Sequence, residues 1–193
     1  MRIARTKYVV ISALLVLTAA LTTALSAFAY DSDERDVFRV AVERVHGSDG
    51  AESYVLRANT GPCTPLGMSS FHRRKLQVPA SAGANFWLKN FVCRSLPAHL
   101  SLNHPYVLAS EQDLRPVYTS ATPDAKTASL QTKIVKGYGV VALSRAGFDF
   151  PHARAVIYVE LLYCGLCGGG QYYYLAKENG VWRVIGVAGT WIS

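Results

Sequence analysis

From Gly139 to the C terminus, apolar side chains recur at every second position, and no other feature of the 193-residue chain constrains its fold as much. Period two is the pattern of a strand, because successive side chains leave opposite faces of a pleated backbone. It predicts four strands, over residues 139–145, 153–163, 171–177 and 181–187, with 190–193 extending or following the last. In the second strand Ala153, Ala155, Ile157, Val159, Leu161 and Tyr163 share one face, and Arg154, Val156, Tyr158, Glu160 and Leu162 share the other. The connections hold Gly147, the Gly168-Gly169-Gly170 run and Asn179-Gly180. Asn-Gly between apolar runs is a strong hairpin signal, since both residues accept the positive φ of a type I′ turn. The C-terminal part therefore reads as an antiparallel meander.

Such a sheet needs a cover, and the N-terminal half supplies helices. Residues 31–46 place Val37, Phe38, Val40, Ala41, Val42 and Val45 at helical spacing, with Asp31, Asp33 and Glu34 in the first turn and Gly47 beyond the last. Acids near the N terminus and a glycine stop suit a helix and its dipole. A second helix is expected over 85–96, carrying Phe86, Trp87, Leu88, Phe91, Val92 and Leu96 and halted by Pro97. Short strands are expected at 53–60 and 106–109. Ser110 to Asp113 has the form of a capping box and opens a brief helical turn limited by Pro116. Residues 120–136 are polar and read as a mobile loop. The expected class is α+β, two layers, with N-terminal helices packed on a C-terminal antiparallel meander.

The front of the chain reads as an address. Arg2, Arg5 and Lys7 precede an apolar run over 8–25, and Ala27-Phe28-Ala29 offers small residues where a signal peptidase cuts. Residues 1–29 are expected to be a cleaved signal peptide, or otherwise an uncleaved membrane anchor. Residues 30–193 are then one exported domain, periplasmic or extracellular, touching a membrane only through 8–29 if these are retained. The net charge is +7 for the whole chain but about +4 without the leader, a weak basis for nucleic-acid binding, and none is expected.

Four cysteines in an exported chain are most simply two disulfides among Cys63, Cys93, Cys164 and Cys167, with three possible connectivities. Cys164 and Cys167 are two residues apart, the spacing thiol oxidoreductases use, so a redox dithiol is the alternative. Glycines and Tyr172-Tyr173-Tyr174 follow, however, where an activating helix would stand. Metal binding by the four cysteines is a weaker reading, and no metal or other cofactor is expected. The basic run His72-Arg73-Arg74-Lys75 reads as a solvated loop face, with contact to anionic lipid or cell-wall polymer as its rival. No catalytic residue is assigned outside the redox alternative.

Leu143-Ser144-Arg145-Ala146-Gly147-Phe148, Cys164-Gly165-Leu166-Cys167-Gly168-Gly169-Gly170, Asn179-Gly180-Val181-Trp182 and the ending Trp191-Ile192-Ser193 together resemble a family of exported bacterial proteins of uncharacterised function. The resemblance implies no activity. A helix followed by a curved sheet is also similar to the cystatin and NTF2-like folds. If the sheet curves, one reading has Tyr158 and Glu160 lining a concavity with Arg145 or with Tyr173 and its neighbours. The reading preferred is that the tyrosines pair across strands and stiffen the sheet. The function expected is that of a non-catalytic binding domain, its partner an unidentified protein or small ligand.

Overall fold

In the computed structural model the described residues are 32–46, 53–61, 70–137, 139–150, 152–163 and 167–192. They belong to a compact unit, Ser32–Ser193, with its own core. The leader predicted over 1–29 lies outside the described residues.

The meander forms in the predicted order, but Gly168-Gly169-Gly170 and Gly147, expected in connections, are paired strand residues. Strands β3 (Val140–Leu143), β5 (Arg154–Leu162), β6 (Gly168–Glu178) and β7 (Val181–Ile192) pair antiparallel in chain order, and the two-residue β4 (Gly147–Phe148) pairs with β5. Asn179 and Gly180 take φ of 50° and 80°, the left-handed pair that closes the β6–β7 hairpin. Register shifts interrupt the β6–β7 ladder at Gly170/Gln171 and Tyr174/Leu175.

The other half of the sheet is parallel, which local patterning does not reveal. Strand β1 (Tyr54–Arg57) lies between β2 (Tyr106–Ala109) and β3 and runs parallel to both, giving the order β2-β1-β3-β5-β6-β7. A parallel neighbour is reached only through a long crossover. Here the first crossover carries α2 (Ser70–Leu76) and α3 (Ala80–Lys89), and the second carries α4 (Glu111–Thr119) and α5 (Ala125–Lys136). The sheet is thus mixed rather than purely antiparallel.

Both sheet faces are covered, so the molecule has three layers where two are expected. On one face Leu76, Val78, Ala82 and Phe86 of the α2–α3 segment pack on Val156, Tyr158, Tyr172, Tyr174 and Ala188. Further along that face Leu114 of α4 and Leu130 and Ile134 of α5 pack on Val55, Ala109 and Val140. The opposite face, bearing Ala155, Ile157 and Leu175, is covered by α1 (Ser32–His46), whose Val37, Phe38, Ala41 and Val42 are fully buried. Asp33 of α1 binds Lys177 at 2.5 Å and accepts from the Trp182 indole at 3.1 Å on that side. The weak alternation of β5, apolar on both faces over residues 155–159, is the sequence trace of this double burial.

Three helices depart from expectation. Helix α3 ends at Lys89 because Asn90 is claimed elsewhere: its side-chain amide donates to the carbonyls of Phe86 (2.8 Å) and Arg145 (3.0 Å), and its Oδ1 accepts from Arg145 N–H (2.8 Å). The basic run 72–75 falls within α2 rather than a loop. Residues 125–136, expected to be loop, form α5, with Asp124 accepting from Thr127 N–H at 2.7 Å as its N-cap. The capping box of α4 forms as read, with Ser110 and Asp113 bonding each other's backbone N–H.

Candidate functional site

The residues singled out by sequence do not converge on one place. Arg145 faces the interior, not a concavity, and is 1% exposed. Its Nε and Nη2 donate to Oε1 and Oε2 of Glu34 at 2.8 and 2.6 Å, a two-pronged pair that suits guanidinium geometry. Ala146 N–H also donates to Glu34 Oε1 (2.9 Å), and Lys89 Nζ lies 3.6 Å from Oε2 and 4.8 Å from the Phe148 ring centroid. This cluster ties α1, α3 and the end of β3 together and leaves Arg145 no room for a ligand.

Tyr158 and Glu160 do share a face, but with Trp191 and Thr190 as neighbours. The Tyr158 hydroxyl accepts from the Trp191 indole at 2.7 Å and lies 3.3 Å from Thr190 Oγ1. The Tyr158 and Tyr172 rings are 4.9 Å apart. Gly170 lies beneath this group, and a Cβ there would overlap the Tyr158 hydroxyl and the Trp191 indole nitrogen. Burial raises the Glu160 carboxyl above its ordinary range, against the Tyr158 hydrogen bond and the charge of Arg57. Tyr173 lies on the opposite face, its hydroxyl accepting from Gln171 at 2.6 Å, and burial pushes it up to about 12. These tyrosines pack and stiffen the sheet across strands.

The described cysteines, Cys93 and Cys167, are both disulfide-bonded; Cys63 and Cys164 lie outside the described residues. Gly168 follows Cys167 directly into β6, so no helix begins there to lower a thiol pKa. Among the described residues no group of three or more His, Cys, Asp or Glu could hold a metal ion, and no helix is long and apolar enough to cross a membrane.

A concavity is present at the other end of the sheet, on residues that sequence reasoning passed over. Strand β2 is the sheet edge, and between it, α4 and α5 opens a cavity of about 300 Å³. Val107, Leu108, Ala109 and Leu130 line its apolar part, with Asp113, Lys126, Ser129 and Lys133 as its polar part. Tyr54 N–H donates to the Pro105 carbonyl and Ala58 N–H to the Ala109 carbonyl, both at 2.8 Å. Parallel pairing therefore turns residues 105, 107 and 109 toward β1, and the N–H and C=O of Leu108 face outward.

The charges of this cavity differ in their partners. Lys126 binds Asp113 at 2.6 Å. That bond, with those from Ser110, holds the Asp113 carboxyl down at about 2, and it raises Lys126 in turn. Lys133, seven residues or about two turns further along the same face of α5, has no ion-pair partner among the described residues. An open backbone edge, an apolar floor and an uncompensated ammonium together suit an extended chain carrying a carboxylate. The sequence signal was present: Asp124 in N-cap position and Thr127, Leu130 and Ile134 at helical spacing mark α5. The polar residues between them hid it.

Comparison with known protein families, curated proteins and solved structures finds no match.

Proposed function

We propose that the chain is an exported, non-catalytic binding domain that takes an extended peptide carrying a carboxylate along the free edge of β2. The observation carrying this reading is the position of Lys133, without an ion-pair partner among the described residues, in a cavity with an apolar floor beside outward-facing strand backbone. Backbone pairing with Leu108 would give affinity, the cavity would take one apolar side chain, and Lys133 would select the anion. Export rests on the leader-like residues 1–29, and the resemblance of the C-terminal motifs to exported bacterial proteins accords with it. The kinship with cystatin or NTF2-like folds rests on a helix backed by the β3–β7 meander, with β1 and β2 as additions at one edge.

The test is titration with a Val- and Thr-rich hexapeptide ending in a free carboxylate, and with its C-terminal amide. The acid should bind and the amide more weakly. Lys133→Ala should erase the difference, and Leu108→Pro, which removes an outward N–H, should weaken both. Equal binding of acid and amide to the native chain would defeat the reading.

The redox alternative at Cys164 and Cys167 has less support, since Cys167 is disulfide-bonded at the start of a strand. A pairing of Cys63 with Cys93 and of Cys164 with Cys167 accords with the neighbouring backbone: Thr60 N–H donates to the Arg94 carbonyl at 2.7 Å, and Tyr163 N–H to the Cys167 carbonyl at 3.0 Å. Non-reducing peptide mapping decides this, and recovery of four alkylated thiols would reject both bridges.

A further inference from the structure

The end of α3 presents an apolar surface that no fold requirement explains. Trp87, Leu88, Phe91 and Val92 are 43%, 64%, 58% and 50% exposed. The Trp87 and Phe91 rings lie edge to face, 5.8 Å apart, so the patch is contiguous rather than scattered. Single exposed apolar residues are ordinary on a protein surface, but a contiguous group of four with two aromatics marks a contact surface.

Along the chain its charged neighbours have one sign, although Arg57 and Lys89 are themselves paired with Glu111 and Glu34. From Ser53 to Ser110, a stretch of 58 residues, the chain has no Asp or Glu, while Arg57, Arg73, Arg74, Lys75, Lys89 and Arg94 fall within it. The exposed Arg73, Arg74 and Lys75 form the last turn of α2. The Arg73 side chain lies 3.8 Å from where a Cβ on Gly83 would stand, one helical turn before Trp87. Arg94, also exposed, follows the patch on its other side. The apolar residues are thus flanked by cations and by no nearby carboxylate in sequence.

We propose that this corner of α2 and α3 docks on an anionic lipid bilayer, with Trp87, Leu88, Phe91 and Val92 entering the interface and Arg73, Arg74, Lys75 and Arg94 meeting the headgroups. Trp favours the boundary between headgroup and acyl chain, and long basic side chains extend from buried stems to reach phosphates. A soluble polyanion would use the cations but would leave four large apolar groups in water. A bilayer satisfies both. The expectation that a membrane is met only through residues 8–29 is thereby extended to the folded unit, and the proposal is independent of the peptide cavity at β2.

The test uses residues 30–193, which contain the whole compact unit and lack the apolar leader. Vesicles of phosphatidylcholine with roughly one-third phosphatidylglycerol should sediment the protein, and pure phosphatidylcholine vesicles should not, because the cations need an anionic surface. Emission should shift to the blue on binding, and in a Trp191→Phe background, which removes the other exposed indole (36%), Trp87→Phe should remove most of that shift while the protein still sediments, since the remaining Trp182 is only 2% exposed. The pair Leu88→Ser with Phe91→Ser, and separately Arg73→Glu with Arg74→Glu, should each lower the bound fraction about tenfold or more. All four changes are on exposed side chains, and near-UV circular dichroism checks that the fold persists. Absence of sedimentation, or sedimentation of both double variants undiminished from that of the native protein, overturns the proposal. Equal affinity for soluble heparin with no effect of the Leu88 and Phe91 changes assigns the patch to a polyanion instead.

Discussion

Two ion pairs of the same length divide this molecule into a fixed region and an adjustable one. Arg145 to Glu34 and Lys126 to Asp113 both measure 2.6 Å. The first pair is 1% and 0% exposed and lies where α1, α3 and β3 meet. The second is 80% and 27% exposed and sits at the cavity beside the sheet edge. Distance alone does not set what a charge pair does. A buried pair sacrifices hydration that only its partner and hydrogen bonds restore, so losing one member strands the other. An exposed pair exchanges one solvated arrangement for another and leaves its charges open to a ligand. The region around Arg145 is accordingly built for assembly, and the region around Lys126 and Lys133 for recognition.

The largest expected effect is at the buried pair. Glu34→Ala should cost about 3–5 kcal/mol in denaturant unfolding, because Arg145 and Lys89 would lose the buried carboxylate that both of them meet. A loss like that of a surface pair would break the contrast. Phe86→Ala should cost a similar ~3–5 kcal/mol by opening the cluster under α3.

A smaller effect should appear at high pH. Burial raises Tyr172 and Tyr173 to about 12 from an ordinary 10.0, so the folded state holds their protons more tightly than the unfolded one. That stabilisation is complete below pH 10 and is lost as the pH rises through about 12. The phenolate absorbance of Tyr172 and Tyr173, read by difference from their Phe variants, should therefore appear late and coincide with unfolding. Titration of these two near pH 10 with the fold intact would contradict it.

At acid pH the sign reverses. Asp113 is lowered from 3.8 to about 2, so its contribution is present above about pH 4 and lost as the pH falls through about 2. Amide exchange in the first turn of α4 should quicken over that window while the meander stays protected. The smallest effect is Lys126→Ala, which should leave the unfolding midpoint unchanged within error yet alter peptide binding at the β2 cavity. A large stability loss would move that pair into the structural class.

The two regions also differ in how openly they are written in the sequence. The meander is legible because each instruction is local: alternation along β5, Asn179-Gly180 at the turn, and pairing with the next strand in the chain. The capping box at Ser110 and Asp113 is legible for the same reason. The cavity is not, since it needs β2 at the sheet edge and α5 beside it, and parallel pairing of β1 with β2 and β3 leaves no short-range mark. Arg145 illustrates the same limit from the other side. A cation between Ser144 and Ala146 looks available to a ligand until Glu34, 111 residues away, takes both its prongs.

By itself the amino-acid order determines the strands of the meander, the α1 helix and the hairpin turn, because those depend on steric and hydrogen-bonding preferences of neighbouring residues. Tertiary structure decides where α3 stops, which charges are buried and which face outward, and that the sheet is mixed with helices on both sides. These outcomes rest on contacts between segments distant in the chain, where Asn90 and Glu34 are claimed by partners that no local pattern names.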